Sequence, residues 1–177
     1  MKKIIAVIGL AVLSACSTQP KISEVSLSDR KLNIEEYFSG DLKAYGQFQD
    51  LFGNVSRRFV VDLTGEYENK KLTLTENFLY DDGYKEQRIW ELTKINENEW
   101  SGKAEGVIGD AKGKEIGDQF YWNYKIDLPL PDNETMLVTF DDYMWLQKDG
   151  KLLNKAYMKK WGVTVGEVTI FFEKENK

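Results

Sequence analysis

The residues best suited to chemistry in this sequence are charged side chains that share a face with apolar ones. Glu76 alternates with leucine and phenylalanine, and Arg88 lies two residues before Trp90. A three-residue turn at 81–83 would place Glu76 directly across from Arg88, which predicts a buried charge pair. Such an arginine can receive a ligand carboxylate or phosphate, with Trp90 and Trp122 walling the apolar part of the site. The alternative is a structural pair in which Glu76 already neutralises the guanidinium.

Asp142 is a second carboxylate in an apolar setting. It alternates with methionine, valine and phenylalanine, so we expect it to face the interior and to need a partner, either Asn154 or, with a shifted register, Lys155. With a raised pKa it could act as a general acid, or it could be a structural residue that caps backbone amides. A hydrolase built on Glu76 or Asp142 would need two carboxyl groups about 5–10 Å apart in one cleft. We predict instead that the protein is not an enzyme and has no catalytic residue.

The composition excludes several other classes of site. The chain of 177 residues contains no histidine and one cysteine, which removes His-dependent catalysis and histidine-ligated zinc or haem. The acidic pairs at 81–82 and 141–142 lack the loop spacing of a calcium site, so we expect no metal and no cofactor. The net charge of −5 argues against a nucleic-acid partner, because a phosphate backbone requires a basic face.

These side chains must be positioned by β-strands. Helical patterning is confined to residues 29–38, where Ser28 or Asp29 could act as the N-cap. From Leu32 onward apolar and polar residues alternate between turn signals such as Lys112-Gly113, and no helix is long enough for a crossover. The pattern predicts an all-β, up-and-down antiparallel barrel over residues 32–177. About nine strands are predicted, near 42–52, 55–67, 71–80, 84–95, 99–109, 117–128, 135–146, 151–161 and 163–173.

The period of two in a strand indicates which side chains face the barrel interior. Phe120, Trp122 and Tyr124 share one face of a predicted strand, and small residues such as Gly102 share the face of Trp100. These small residues either relieve crowding or leave room. A barrel of this size is filled by side chains or holds one small ligand. The candidate ligand-binding residues are Arg88, Glu76, Trp90, Trp122, Tyr124 and Asp142.

The amino terminus has the pattern of an export signal. Two lysines precede an apolar run at 4–13, which is shorter than the roughly 20 residues of a transmembrane helix. The quartet ending at Cys16 resembles the lipobox of bacterial lipoproteins, which implies cleavage before Cys16 and acylation of its thiol. We predict a signal peptide at 1–15 and a lipidated tether at 16–31; the alternative is a plain secretory peptide with a stray cysteine. By the sorting rule for such lipoproteins, Ser17 implies an outer-membrane, lipid-anchored protein that faces the periplasm.

Several motifs together resemble a proteobacterial lipoprotein family known as domain of unknown function 3833. The resemblance covers nearly all of the chain after the predicted signal peptide, and it implies a lipid-anchored envelope protein with a calycin-like, lipocalin-like barrel. It implies no established activity, substrate or catalytic residue. The motifs are Tyr37-Phe38-Ser39-Gly40, the run from Gly46 to Phe59, Tyr80 to Gly83 with Arg88 and Trp90, Phe140-Asp141-Asp142, Leu153-Asn154-Lys155-Ala156 and Gly166-Glu167-Val168.

The sequence therefore favours a lipoprotein attached to the membrane through Cys16 whose barrel binds a small hydrophobic or amphiphilic ligand. A fatty acid such as palmitate, or a lipid fragment, would place its polar end near Arg88. The alternative is a non-enzymatic structural or interaction lipoprotein of the outer membrane with a filled barrel, which predicts no cavity above roughly 100 Å³, well below an ordinary ligand pocket. The sequence identifies no protein partner.

Overall fold

One short helix and ten antiparallel strands make up the fold in the computed structural model, which describes residues 19–20, 22, 28–130 and 134–175. The predicted signal peptide, Cys16 and the turn at 131–133 lie outside the described residues. The helix α1 is Ile34–Tyr37. The strands are β1 Gly40–Asp50, β2 Val55–Glu68, β3 Lys71–Tyr80, β4 Lys85–Lys94, β5 Glu99–Lys103, β6 Ala111–Ile116, β7 Gln119–Pro129, β8 Thr135–Leu146, β9 Leu152–Lys160 and β10 Val163–Lys174.

The sheet closes on itself. Each strand pairs antiparallel with its neighbours in the chain, and β1 also pairs with β10 from Leu42 opposite Lys174 to Asp50 opposite Gly166. Closure satisfies the backbone groups that an open sheet would leave at its edges. The predicted all-β, up-and-down antiparallel barrel is confirmed, with ten strands instead of about nine.

The additional strand is β6, which the sequence analysis did not predict. Lys112-Gly113 was expected to be a turn, but Gly113 lies inside β6 opposite Trp122. A Cβ at Gly113 would lie 2.6 Å from ring atoms of both Phe120 and Trp122, so these rings occupy the space that a side chain would take. Glycine is required here by a close approach inside the barrel rather than by a turn, and the predicted strand at 99–109 accordingly ends at Lys103.

The segment before β1 closes one end of the barrel. Ile34 and Phe38 are almost fully buried, and the Leu32 N–H donates to the carbonyl of Gly117 at 2.8 Å. The predicted cap at Ser28 or Asp29 is wrong, because α1 begins at Ile34 and its N-cap residue is Asn33, whose side chain makes no capping hydrogen bond. The Ile34 N–H instead donates to Oε1 of Glu115 at 3.0 Å, so a strand side chain replaces the local cap.

The two ends of the barrel differ. Because successive strands run in opposite directions, the connections after odd-numbered strands all lie at one end and those after even-numbered strands lie at the other, with α1. We call these the open end and the closed end. Within the described residues, no helix is long and apolar enough to cross a bilayer.

Candidate functional site

A cavity of about 800 Å³ occupies the barrel interior. Ile34 and Phe38 form its floor at the closed end, whereas Arg57, Tyr84 and Leu130 border it at the open end. A volume in this range is typical of pockets that hold small organic ligands. All six candidate ligand-binding residues line it: Arg88, Glu76, Trp90, Trp122, Tyr124 and Asp142.

Aromatic rings build much of the cavity wall. Trp90 meets Trp122 edge to face at 5.5 Å between ring centroids and meets Tyr124 at 5.0 Å. Phe120, Trp122 and Tyr124 are all buried and line the cavity, as the alternation in β7 predicts. Trp122 fits because β5, two strands away in the barrel, has glycine at 102, where a Cβ would lie 2.6 Å from the indole. The small residues therefore relieve crowding against large rings.

The β3–β4 hairpin has the predicted register. Gly83 is left-handed with φ of 81°, and the Tyr80 N–H donates to the carbonyl of Tyr84 at 3.0 Å. Glu76 lies opposite Arg88 as a result. The turn chemistry alone was sufficient to place these two side chains on the same inner face.

The predicted ion pair between Glu76 and Arg88 is wrong. Nη2 of Arg88 contacts Oε1 of Glu86 at 2.7 Å, and no salt bridge joins Arg88 to Glu76 among the described residues. Glu86 lies two residues before Arg88 on β4, so both side chains project from the same face and an ion pair forms along the strand. Glu76 interacts with Arg88 only at longer range, through the electrostatic field.

Burial disfavours the ionised form of the Glu76 carboxyl group. Desolvation raises its pKa to about 7, the positive charge of Arg88 opposes this shift, and the negative charge of Glu86 adds to it. Its remaining accessible surface borders the cavity. Near neutral pH a large share of Glu76 is therefore a neutral carboxylic acid, which can donate a hydrogen bond.

Asp142 is still more strongly perturbed. Burial is the main cause of a pKa raised to about 8, and the charges of Asp141 and Glu76 contribute further. The partners predicted for it are wrong: the Asn154 amide donates to the carbonyl of Tyr143 at 3.3 Å, and Lys155 pairs with Glu167 at 2.8 Å. Among the described residues, nothing forms a hydrogen bond with its buried Oδ1.

Tyr124 completes the polar part of the wall. Its pKa is raised well above the ordinary value, mainly by burial and then by the negative charges of Asp142 and Glu76. The hydroxyl therefore remains protonated. We call Glu76, Glu86, Arg88, Tyr124 and Asp142 the polar belt; with two carboxyls largely neutral and one ion-paired, it presents several hydrogen-bond donors to the cavity.

The side chains that connect this belt to the open end were not among the candidate ligand-binding residues. The Tyr80 hydroxyl donates to Oε2 of Glu86 at 2.9 Å, and the Arg57 guanidinium lies over the Tyr80 ring at 3.5 Å. Arg57 also pairs with Asp82 at 3.4 Å in the exposed turn. Alternation along β4 could have identified Glu86, because it shares the inner face with Arg88 and Trp90.

A second buried polar group lies at the closed end and has a structural role. Oε1 of Glu115 accepts hydrogen bonds from the Ile34 N–H at 3.0 Å and from the Trp100 indole at 3.1 Å, and Glu35 pairs with Lys94 beside it. These contacts hold the closing segment in the barrel. The described residues contain no group of three or more histidine, cysteine, aspartate or glutamate side chains arranged to hold a metal ion.

Comparisons with known proteins identify a family and a fold. Residues 10–174 match a family model described as "Protein of unknown function (DUF3833)". The fold is similar to the structure of S-type phycobiliprotein lyase CPES from Guillardia theta, with a TM-score of 0.56 and 8% sequence identity over 81% of this chain and 91% of that chain. No curated protein matches the sequence.

Proposed function

This chain belongs to the DUF3833 family of proteins of unknown function, and we propose that its barrel binds one small amphiphile, such as a fatty acid or a similar lipid-like molecule. The observation that carries this proposal is the cavity of about 800 Å³, which combines an aromatic wall with a polar belt. A wall that is mostly apolar with a few convergent polar groups is the usual composition of a small-molecule site.

The volume argues against the alternative of a filled barrel. Side chains of a filled barrel interdigitate and leave few voids larger than a water molecule. The rings of Trp90 and Trp122 instead pack against the wall and against each other, while the centre of the barrel stays open. An apolar chain would contact these rings in the half of the cavity nearer the closed end.

The polar belt supports a headgroup that accepts hydrogen bonds. The guanidinium of Arg88 is already paired with Glu86, so a ligand carboxylate would have to compete with Glu86 for it. Neutral Glu76 and Asp142 can donate to a carboxylate, ester or hydroxyl oxygen. The Oδ1 atom of Asp142, which lacks a partner among the described residues, marks where a ligand group would complete the hydrogen bonding.

The same two carboxyl groups support a role without catalysis. Glycoside hydrolysis by paired carboxyls requires one protonated acid and one ionised carboxylate. Burial raises the pKa of Glu76 to about 7 and that of Asp142 to about 8, so neither is fully ionised near neutral pH, as the carboxylate of such a pair would be. We therefore propose a binding protein rather than a hydrolase.

The cellular site of this binding is proposed from the sequence. The quartet that ends at Cys16, followed by Ser17, supports an acylated amino terminus and an outer-membrane location facing the periplasm. Two or three acyl chains, at about 0.8 kcal/mol per buried CH₂, would make release from a bilayer negligible. The binding site would then lie beside a bilayer, whose lipids are themselves amphiphiles.

Titration with palmitate, followed by tryptophan emission, tests the proposal. A Trp161→Phe background removes the fully exposed indole, so that the signal comes from buried rings such as Trp90 and Trp122. In that background Ala156→Phe fills the cavity from β9, and Leu137→Phe adds the same side chain on the exposed outer face. We expect a saturable change in the background protein, at least roughly tenfold weaker binding in Ala156→Phe, and unchanged binding in Leu137→Phe.

Two results would contradict the proposal. One is the absence of any response to fatty acids and lysophospholipids by a folded protein. The other is equal affinity in Ala156→Phe and Leu137→Phe, which would place the ligand outside the barrel. Native mass spectrometry of the purified protein provides an independent readout, because a ligand carried from the cell would add its mass.

A further inference from the structure

Exposed apolar side chains surround the mouth of the cavity. Each of the five connections at the open end carries at least one, and Tyr84 and Leu130 line the cavity as well. We call this set the apolar rim. It consists of Leu51 at 61% exposure, Phe52 at 88%, Tyr84 at 54%, Ile108 at 56%, Leu130 at 39% and Trp161 at 91%.

The connections at the closed end have a different composition. They are built from polar residues and glycine, as at Asn69-Lys70, Gly117-Asp118 and 147–150. Among their described residues, Ile95 is the one large apolar side chain that is exposed. Scattered apolar residues are ordinary on a protein surface and also occur on the outer faces of these strands. A ring of them in the connections at one end indicates contact with an apolar partner.

The geometry of the β9–β10 turn does not account for a tryptophan at position 161. Trp161 is left-handed with φ of 53° and precedes Gly162, whose φ is 81°, so the β9–β10 turn favours asparagine or glycine at this position. Its indole is almost wholly exposed, and Nζ of Lys160 lies 4.9 Å from the ring centroid. Tryptophan beside lysine suits the interface between lipid headgroups and acyl chains.

Gln19, three residues after the proposed acylation site, lies at the same end of the barrel. Nε2 of Gln19 lies 3.4 Å from Oγ1 of Thr164, and Thr164 is the second residue of β10, next to the open-end turn. Three residues span at most about 11 Å. An acyl anchor proposed three residues before Gln19 is therefore compatible with a bilayer beside the apolar rim.

We propose that the barrel docks mouth first on the lipid bilayer that anchors it, with the apolar rim inserted among the headgroups. This inference rests on the proposed acylation of Cys16 and extends the proposed function. The cavity would then open onto the membrane, and an amphiphile could move between the bilayer and the polar belt without crossing water.

Quenching of tryptophan emission tests this orientation in the full acylated chain, reconstituted into vesicles of phosphatidylethanolamine and phosphatidylglycerol. Trp161 reports on the rim, because the other four tryptophans are buried or half-buried. The matched control is Trp161→Phe with Ile95→Trp, which moves the exposed indole to the closed end. We expect spin-labelled lipid to quench the indole at 161 and vesicle binding to lower its acrylamide quenching severalfold. The indole at 95 should remain open to acrylamide and out of reach of the lipid quencher.

Three results would overturn the docking proposal. The first is acrylamide quenching of the indole at 161 that is unchanged when the protein is anchored to vesicles. The second is equal lipid quenching at positions 161 and 95, which would show no preferred orientation. The third is protection of Trp161 without lipid quenching, which would assign the rim to a second copy or another protein.

The outcomes for docking and ligand binding are separable. Palmitate binding is measured without vesicles in the Trp161→Phe background, so a failed docking test leaves that measurement standing. A protein that does not stay with the vesicles would overturn both the acyl anchor and the docking. Loss of palmitate binding with lipid quenching intact would overturn the ligand proposal alone.

Discussion

Arg88 forms its salt bridge with Glu86, two residues earlier on the same strand, with 2.7 Å between Nη2 and Oε1. Both side chains are partly buried at the cavity wall, with exposures of 21% and 29%. The pair leaves Glu76, across the hairpin, as a carboxyl whose pKa is raised to about 7. The polar belt is therefore a group of hydrogen-bond donors around an arginine whose charge Glu86 already neutralises.

Removal of Glu86 should tighten the binding of an anionic ligand. Glu86→Gln frees the Arg88 guanidinium while keeping a side chain of similar shape, so palmitate should bind roughly three- to tenfold more tightly, whereas Arg88→Gln should weaken it by a similar factor. Fluorescence titration at constant pH and salt measures both. If both variants shift the affinity in the same direction, the headgroup does not lie near Arg88.

Binding of a ligand that does not titrate should weaken as the pH rises. Glu76 and Asp142 donate hydrogen bonds only while protonated, and their pKa values of about 7 and about 8 place the loss between neutral and mildly alkaline pH. The affinity for a monoacylglycerol should therefore be highest below pH 7 and should fall through this window. Glu76→Gln and Asp142→Asn together should flatten the profile, because amides keep a donor at every pH. A profile of unchanged slope in the double variant would rule out these carboxyls as donors.

Asp142→Asn should stabilise the protein, and more so at higher pH. The folded state holds the proton of Asp142 until about pH 8, whereas the unfolded chain releases it near the ordinary aspartate pKa of 3.8. The wild-type free energy of unfolding therefore falls as the pH rises between these values and levels off above them. The advantage of Asn over Asp should grow by about 2–4 kcal/mol from about pH 5 to pH 8. Urea denaturation across this range measures it, and a constant difference would mean that Asp142 is not buried as a neutral acid.

Glu115 should matter for the closing segment rather than for the cavity. Glu115→Ala leaves the Ile34 N–H and the Trp100 indole without their acceptor, at a cost of about 2–4 kcal/mol. Glu115→Gln keeps a carbonyl acceptor and should cost about 1 kcal/mol or less. Chemical denaturation gives the stabilities, and hydrogen exchange at Ile34 should accelerate selectively in the alanine variant. Equal stabilities of the two variants would contradict the acceptor role.

Gly102→Ala should destabilise the barrel although glycine is the weaker strand former. The added Cβ would lie 2.6 Å from the indole of Trp122, and overpacking of this kind costs about 1–3 kcal/mol. The neighbouring Ser101→Ala changes the opposite face and serves as the control, with an expected effect within about 0.5 kcal/mol. Thermal unfolding measures both, and a stabilised Gly102→Ala would show that Trp122 can move.

The elements predicted well are those governed by local geometry. The side-chain period of two put Phe120, Trp122 and Tyr124 on the inner face, and the Asp81-Asp82-Gly83 turn set the pairing of Glu76 with Arg88. Both follow from the backbone of a strand or a hairpin, which depends on nearby residues alone. The strand β6 was missed because its glycine is explained by residues of another strand. Gly113 packs against rings of β7, and the residues around Gly113 in the sequence do not reveal this contact.

Sequence by itself determined that this protein is an antiparallel barrel with an aromatic interior, because alternation and turn residues act over a few neighbours. Only the tertiary structure decided that the interior is a cavity, that Arg88 pairs with Glu86, and that the apolar residues of five separate connections meet at one end. The volume enclosed by a barrel depends on the number and tilt of all its strands together. The partner of an arginine depends on all the carboxylates that its flexible side chain can reach in the folded protein. Connections far apart in sequence come together only when the sheet closes.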